Sequence, residues 1–218
     1  MSTRIFTLNE FPVVSGMTTD DRIICGLDCA EGVERDATAF FARQGNTVLE
    51  MWKLNKIDHE ETVRRIREFN SMHKISKLNM DMAFSDYEFN VLKYEFPCEQ
   101  VQFARSPSEE NKEKYANVRA EMYFNLCHYL RNGLCVDGHV LTPELKRQIC
   151  AINWKTNGQG RLLLTPKEQL RVALNMSTDI ADAAALTCID KFTGDDPAIN
   201  TAVMRDKAQL RRFSRMMG

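Results

Sequence analysis

Short apolar runs alternate with longer segments in which apolar positions recur every three or four residues. That mixture predicts strands interleaved with helices. Residues 23–27 are nearly all apolar, as a strand buried on both faces is. Residues 37–42 and 47–53 predict two more strands, with Gln44-Gly45-Asn46 as the turn between them. Asp58 then precedes Glu61 at capping-box spacing. Val63, Ile66 and Phe69 form the apolar stripe of the helix that follows. Residues 77–80 predict a short strand ending at Asp81, Phe84, Tyr87, Val91 and Leu92 a second helix, and residues 99–103 a fifth strand. The order β-β-β-α-β-α-β predicts an α/β domain with a mixed sheet flanked by helices.

The second half reads as mainly helical. A long helix is predicted from about residue 113 to 132, stopped by Gly133, and a shorter one or a helix-to-strand transition over 143–152. Asn157-Gly158 predicts an added β-hairpin between 152–156 and 161–164. A helix to Leu174 follows Pro166, and Ser177 or Thr178 caps an alanine-rich helix that is expected to run to about Phe192. This divides the chain into an irregular lead-in (1–21), one domain (22–193) and a basic tail (194–218) carrying Arg205, Lys207, Arg211, Arg212 and Arg215.

Acidic residues fall at conspicuous places in this pattern. Asp28 and Asp81 each end an apolar run, and Asp179 and Asp182 share one face of the alanine-rich helix. A buried carboxylate is costly unless it is paired or bound to a cation. Acids converging from strand ends and a helix face can hold two Mg²⁺ or Mn²⁺ ions, the arrangement that hydrolyses phosphodiesters. Asp36, just before the second strand, is a further candidate ligand. Each acid also has a structural reading. Asp28 can cap a turn, Asp81 can cap the next helix, Asp179 suits a first helical turn through the helix dipole, and Asp182 can be a solvated helix residue.

Composition narrows the partners. The 218 residues carry a net charge of −1, so a nucleic acid must be held by a local patch or through metal ions. Lys155, Arg161, Lys167 and Arg171 cluster about the hairpin and its following helix. They are expected to guide a duplex by phosphate contacts, which give affinity without sequence reading. The seven cysteines are odd in number and lie mostly in apolar runs, which fits reduced thiols. The spacing of Cys127, Cys135 and His139 matches no familiar zinc site. No apolar stretch approaches the roughly 20 residues of a membrane span, and no secretory signal is expected.

Three segments resemble the nuclease domain of the large terminase subunit of tailed bacteriophages, an RNase H-like fold related to RuvC resolvases. Gly26-Leu27-Asp28-Cys29-Ala30, followed by Asp36, resembles the family's opening G-x-D-x-A. Asn117-Val118-Arg119-Ala120-Glu121 resembles its N-x-R-A-E helix. Ser177-Thr178-Asp179-Ile180-Ala181-Asp182-Ala183 resembles its closing S-P-D-x-A-D-A, with Thr178 where the family often has proline. The family usually has glycines after its fourth-strand acid, whereas Asp81 is followed by Met82-Ala83.

The resemblance implies a two-metal endonuclease that cuts double-stranded viral DNA concatemers during genome packaging. Asp28, Asp81 and Asp179 would be its metal ligands, with Asp182 assisting. It also implies a terminase small subunit and a portal as partners in the host cytoplasm. No G-x-x-x-x-G-K-[ST] phosphate loop is present, so the likeness is to the nuclease domain, with the ATPase motor expected elsewhere in the full-length protein. A RuvC-like Holliday junction resolvase and a non-enzymatic packaging or docking module on the same fold remain as alternatives.

Overall fold

A computed structural model of the protein describes residues 3–13, 16, 20–30 and 37–189. Asp36, the tail 194–218 and the expected helix end at Phe192 lie outside them.

The central sheet has five strands: β2 (Ile23–Asp28), β3 (Ala37–Gln44), β4 (Thr47–Asn55), β5 (Lys77–Asp81) and β6 (Cys98–Val101). They lie in the order β4-β3-β2-β5-β6. The first three form an antiparallel meander, while β5 and β6 run parallel to β2, so the sheet is mixed as expected. Parallel neighbours bring their C-terminal ends to one edge. Leu27 pairs with Met80, which places Asp28 and Asp81 at adjacent strand ends.

Both faces of the sheet are covered. On one, Cys25, Leu27 and Phe40 pack against Val63, Ile66 and Phe69 of α1 (His59–His73) and Leu92 of α2 (Asp86–Leu92). Asp58 caps α1 by accepting from Glu61 N at 2.7 Å. On the other face, Ala39 and Phe41 join a larger core formed by α3 (Val118–Arg131), α4 (Thr142–Ala151) and α6 (Asp179–Leu186). The expected hairpin is present as β7 (Asn153–Thr156) and β8 (Leu162–Leu164), followed by α5 (Lys167–Leu174).

Three expectations change. Residues near the N-terminus are not an irregular lead-in. Thr3–Arg4 forms β1 on the edge of β7, and Ile5, Phe6 and Phe11 are buried in the larger core. Arg131 anchors this segment through Ile5 O at 3.1 Å and Glu10 Oε1 at 2.8 Å. The long helix starts at Val118 rather than near 113. Asn117 caps it through Ala120 N, and the Glu121 carboxylate takes hydrogen bonds from Ser108 and Asn111, tying down the preceding loop. The alanine-rich helix ends at Leu186 because other groups take its last carbonyls. Asn79 Nδ2 donates to Leu186 O at 2.9 Å and Arg43 Nη2 to Thr187 O at 2.7 Å.

All eight residues of α6 are buried, and its alanines let it lie directly on β2. Gly26 is where the two elements touch. A Cβ there would stand 2.0 Å from Ala183 O. All seven cysteines are free thiols. No described helix is long and apolar enough to cross a membrane.

Candidate active site

Asp28, Asp81 and Asp179 line one cleft of 190 Å³, together with Lys167, Glu168 and Arg171 of α5. Each acid is set by its backbone: Asp28 and Asp81 by the strand ends, Asp179 as the first residue of α6.

The three differ in their partners. Asp81 accepts from Ala83 N at 3.2 Å and lies 3.6 Å from the Lys167 ammonium. Asp179 lies 3.1 Å from Lys53 Nζ, which also donates to Glu144 Oε1 at 2.8 Å. No protein hydrogen bond to the Asp28 carboxylate is found among the described residues. Burial pushes Asp28 well above the usual carboxylate range; Lys167 opposes this, and the charges of Asp182, Asp81 and Asp179 add to it. Burial also raises Asp81, against the pull of Lys167, and raises Asp179, against hydrogen bonding from Ser177 and the charge of Lys53.

Asp182 is a different kind of acid. It is 1% exposed and does not line the cleft. The Tyr123 hydroxyl donates to its Oδ1 at 2.8 Å, Thr178 Oγ1 donates to its Oδ2 at 2.7 Å, and Lys167 Nζ lies 3.1 Å from Oδ2. Burial pushes its carboxyl up, but Lys167, Arg119 and the two hydroxyls outweigh burial and hold it below the usual range. Lys167 is correspondingly held charged. Burial opposes its charge, and Asp182, Asp28 and Asp81 more than restore it.

The four basic residues singled out in the sequence separate into two pairs. Lys167 and Arg171 belong to the cleft. Lys155 is exposed on β7, and Arg161 pairs with Glu113 at 3.2 Å. Lys167 thus stands among the acids rather than on an outer hairpin surface. Sequence reasoning missed Lys53 and Glu144, which reach Asp179 from β4 and α4, and Tyr123, which reaches Asp182 from α3. Only the N-x-R-A-E segment carried a signal near them.

Among the described residues, no three His, Cys, Asp or Glu side chains are gathered closely enough to hold a metal ion. The chemistry of the cleft nevertheless suits one. Its acids offer only carboxylate oxygens, the donors that hard divalent cations take. Burial and mutual repulsion also leave Asp28 short of compensating charge, which a cation would supply.

No protein-family model matches the sequence, and no curated protein matches it. Solved structures do. The nuclease domain of the large terminase subunit gp2 of bacterial virus Sf6 matches with a TM-score of 0.72 at 15% identity, over 88% of this chain and 100% of that one. The large terminase nuclease from thermophilic phage G20c matches with a TM-score of 0.59 at 10% identity, over 88% of this chain and 100% of that one. The Sf6 domain also has a structure with manganese and the G20c nuclease one with bound magnesium. The chain has the RNase H-like fold of the large terminase nuclease domains, as the resemblance in its sequence implied.

Proposed function

We propose that this chain is a divalent-cation-dependent endonuclease that cuts double-stranded DNA. The observation that carries this reading is the convergence of Asp28, Asp81 and Asp179, from two strands and a helix, on one cleft of a terminase-nuclease fold. In that role Asp28, Asp81 and Asp179 hold Mg²⁺ or Mn²⁺, as the cations found with the Sf6 and G20c domains suggest. Bound cations of this kind neutralise charge on the phosphodiester and activate the attacking water.

The remaining chemistry belongs to the chain. Neighbouring parallel strands set the backbones of Asp28 and Asp81 side by side. Lys53 orients Asp179 and, after the hydrogen bond from Ser177, opposes the rise that burial causes in its carboxyl. Asp182 is a positioning residue: it holds Lys167 in place and keeps it protonated. From there the Lys167 ammonium offsets charge that builds on phosphate oxygens. Arg171, at the rim, adds attraction for the backbone. Asp182 is therefore assigned a supporting role rather than that of a ligand.

The biological setting that fits this reading is the cutting of viral DNA concatemers during packaging in the host cytoplasm. A terminase small subunit, a portal and an ATPase motor domain of the same full-length protein would be its partners. The test is digestion of supercoiled plasmid and of a four-way junction by the purified protein. Cleavage of plasmid in Mn²⁺, none in EDTA and no preference for the junction support the proposal. Selective symmetric cutting of the junction would replace it with a resolvase, and no cutting of either would leave only a docking module.

A further inference from the structure

Phe84 lines the acidic cleft together with Asp28, Asp81 and Asp179. It is 42% exposed and belongs to neither hydrophobic core. Its backbone is nevertheless held on both sides. Met82 N donates to Val101 O at 3.0 Å, and Ala83 N to Asp81 Oδ1 at 3.2 Å. The buried Ser85 hydroxyl donates to Asp81 O at 2.6 Å, and Ser85 O accepts from Phe89 N of α2 at 2.9 Å. The turn that ends β5 therefore presents an aromatic ring on a fixed backbone. Such a ring has only two side-chain torsions to order when it makes a contact. Single exposed aromatics are common on protein surfaces. This one stands three residues after Asp81, on the wall of the cleft itself.

The three acids are buried, although they line the cleft. A regular duplex carries its phosphates on the outside of a wide cylinder. A scissile phosphodiester therefore meets these acids only by entering the cleft. That draws its strand off the helical path and unstacks a neighbouring base. We propose that Phe84 is the platform on which this base stacks. The claim rests on the nuclease reading and deepens it: the substrate bound at the acids is a locally opened duplex. The charge beside the ring suits a nucleic acid, because Lys167 and Arg171 line the same cleft and attract the backbone that carries the base. Glu168 adds another acid there, so the backbone approaches with divalent cation present. Every base has a π-face, so stacking of this kind demands no particular sequence.

The experiment measures, in Ca²⁺, the dissociation constants of a fully paired duplex and of the same duplex with a short mismatched bubble at its centre. The proteins are the wild type, Phe84→Ala, Phe84→Leu and Phe84→Tyr, with circular dichroism confirming that each is folded. The wild type is expected to bind the bubble more tightly, because its bases are already unpaired. Phe84→Ala should weaken binding of both duplexes by about 5–100-fold, the worth of one base stacked on an aromatic ring. Phe84→Leu is apolar but has no π-face and should weaken binding as much. Phe84→Tyr should keep the wild-type affinity. Wild-type affinity in Phe84→Ala or Phe84→Leu, lost affinity in Phe84→Tyr, or equal affinity of the wild type for the two duplexes would each overturn the platform. Should Phe84→Ala not fold, the contrast between Phe84→Leu and Phe84→Tyr decides. A protein that cuts plasmid in Mn²⁺ but binds equally well as Phe84→Ala overturns the platform alone. One whose binding depends on the ring but that cuts nothing overturns the nuclease reading alone. A wild type that binds neither duplex overturns both.

Discussion

The Lys53 ammonium lies 3.1 Å from Asp179 Oδ2, joining the C-terminal part of β4 to the first residue of α6. This contact decides how Asp179 is presented. Burial raises the Asp179 carboxyl, and Lys53 is one of the groups that pull it back. Lys53→Met removes that pull, so Asp179 should hold its proton to higher pH. We expect the acid limb of the pH–rate profile to move upward and the apparent Mn²⁺ affinity to fall by about 10–100-fold, the usual cost of losing an outer partner of a metal ligand. An unchanged Mn²⁺ titration and pH profile would remove Lys53 from the site.

The acids of the cleft and the enclosed acid should respond to pH in opposite ways. Asp28 has a folded pKa above its ordinary 3.8, so the fold binds its proton more tightly than the open chain does. Its contribution to stability is therefore lost as pH rises through the ordinary value towards the raised one. In EDTA at pH 7.5, Asp28→Asn should melt above the wild type, at about 2–4 °C for each kcal/mol relieved, and the gap should close as pH falls towards the ordinary value. Mn²⁺ should raise the melting temperature of the wild type more than that of the variant. A lower melting temperature for Asp28→Asn at pH 7.5 would contradict the burial argument.

Asp182 carries the opposite sign. Its folded pKa is depressed, so its stabilisation is present above 3.8 and is lost as pH falls through the lowered value. Asp182→Asn removes the charged acceptor of the Tyr123 and Thr178 hydroxyls and one carboxylate partner of the half-exposed Lys167 ammonium, and should cost about 1.5–3 kcal/mol. Thermal melts at pH 7.5 measure this directly. A variant as stable as the wild type would show that Tyr123 and Thr178 hold the site without the charge.

Gly26 is the point at which β2 and α6 meet. A Cβ would stand 2.0 Å from Ala183 O and 2.9 Å from Leu186 Cβ, and the first of these is backbone. Overpacking a core costs about 1–3 kcal/mol and occasionally more. Gly26→Ala should therefore lower the melting temperature and, by displacing α6, reduce cleavage more than the loss of stability explains. Cleavage at the wild-type rate well below the melting temperature would mean that α6 need not sit where it does.

Much of the fold was legible because its signals are local. The apolar run 23–27 becomes the buried strand β2, Asp58 caps α1, and Asn157-Gly158 lies in the turn of the hairpin. The same holds for Asp28, Asp81 and Asp179, which end strands or begin a helix and do reach one cleft. Asp182 shows the limit. Its spacing from Asp179 puts both on one helix face, but Tyr123 and Thr178 enclose it, and nothing in the spacing reveals that. Lys167 sits among the acids because α5 follows the hairpin back to the sheet edge, a matter of topology rather than pattern. Lys53 lies in an ordinary strand and acquires its role only when α6 and α4 pack on the meander. The N-terminal segment was missed for a related reason. Ile5, Phe6 and Phe11 make too short and irregular a pattern to announce a strand, and they are buried because β7 offers an edge to Thr3–Arg4 and Arg131 ties the segment down.

The most direct measurement compares the initial rates of Mn²⁺-dependent plasmid cleavage by the wild type, Asp28→Asn and Asp179→Asn, with circular dichroism confirming that each variant is folded. The account predicts that each substitution lowers the rate by at least about 10²–10³-fold, the range seen when one group stabilising a transition state is removed. Cleavage at or near the wild-type rate by either folded variant would contradict it.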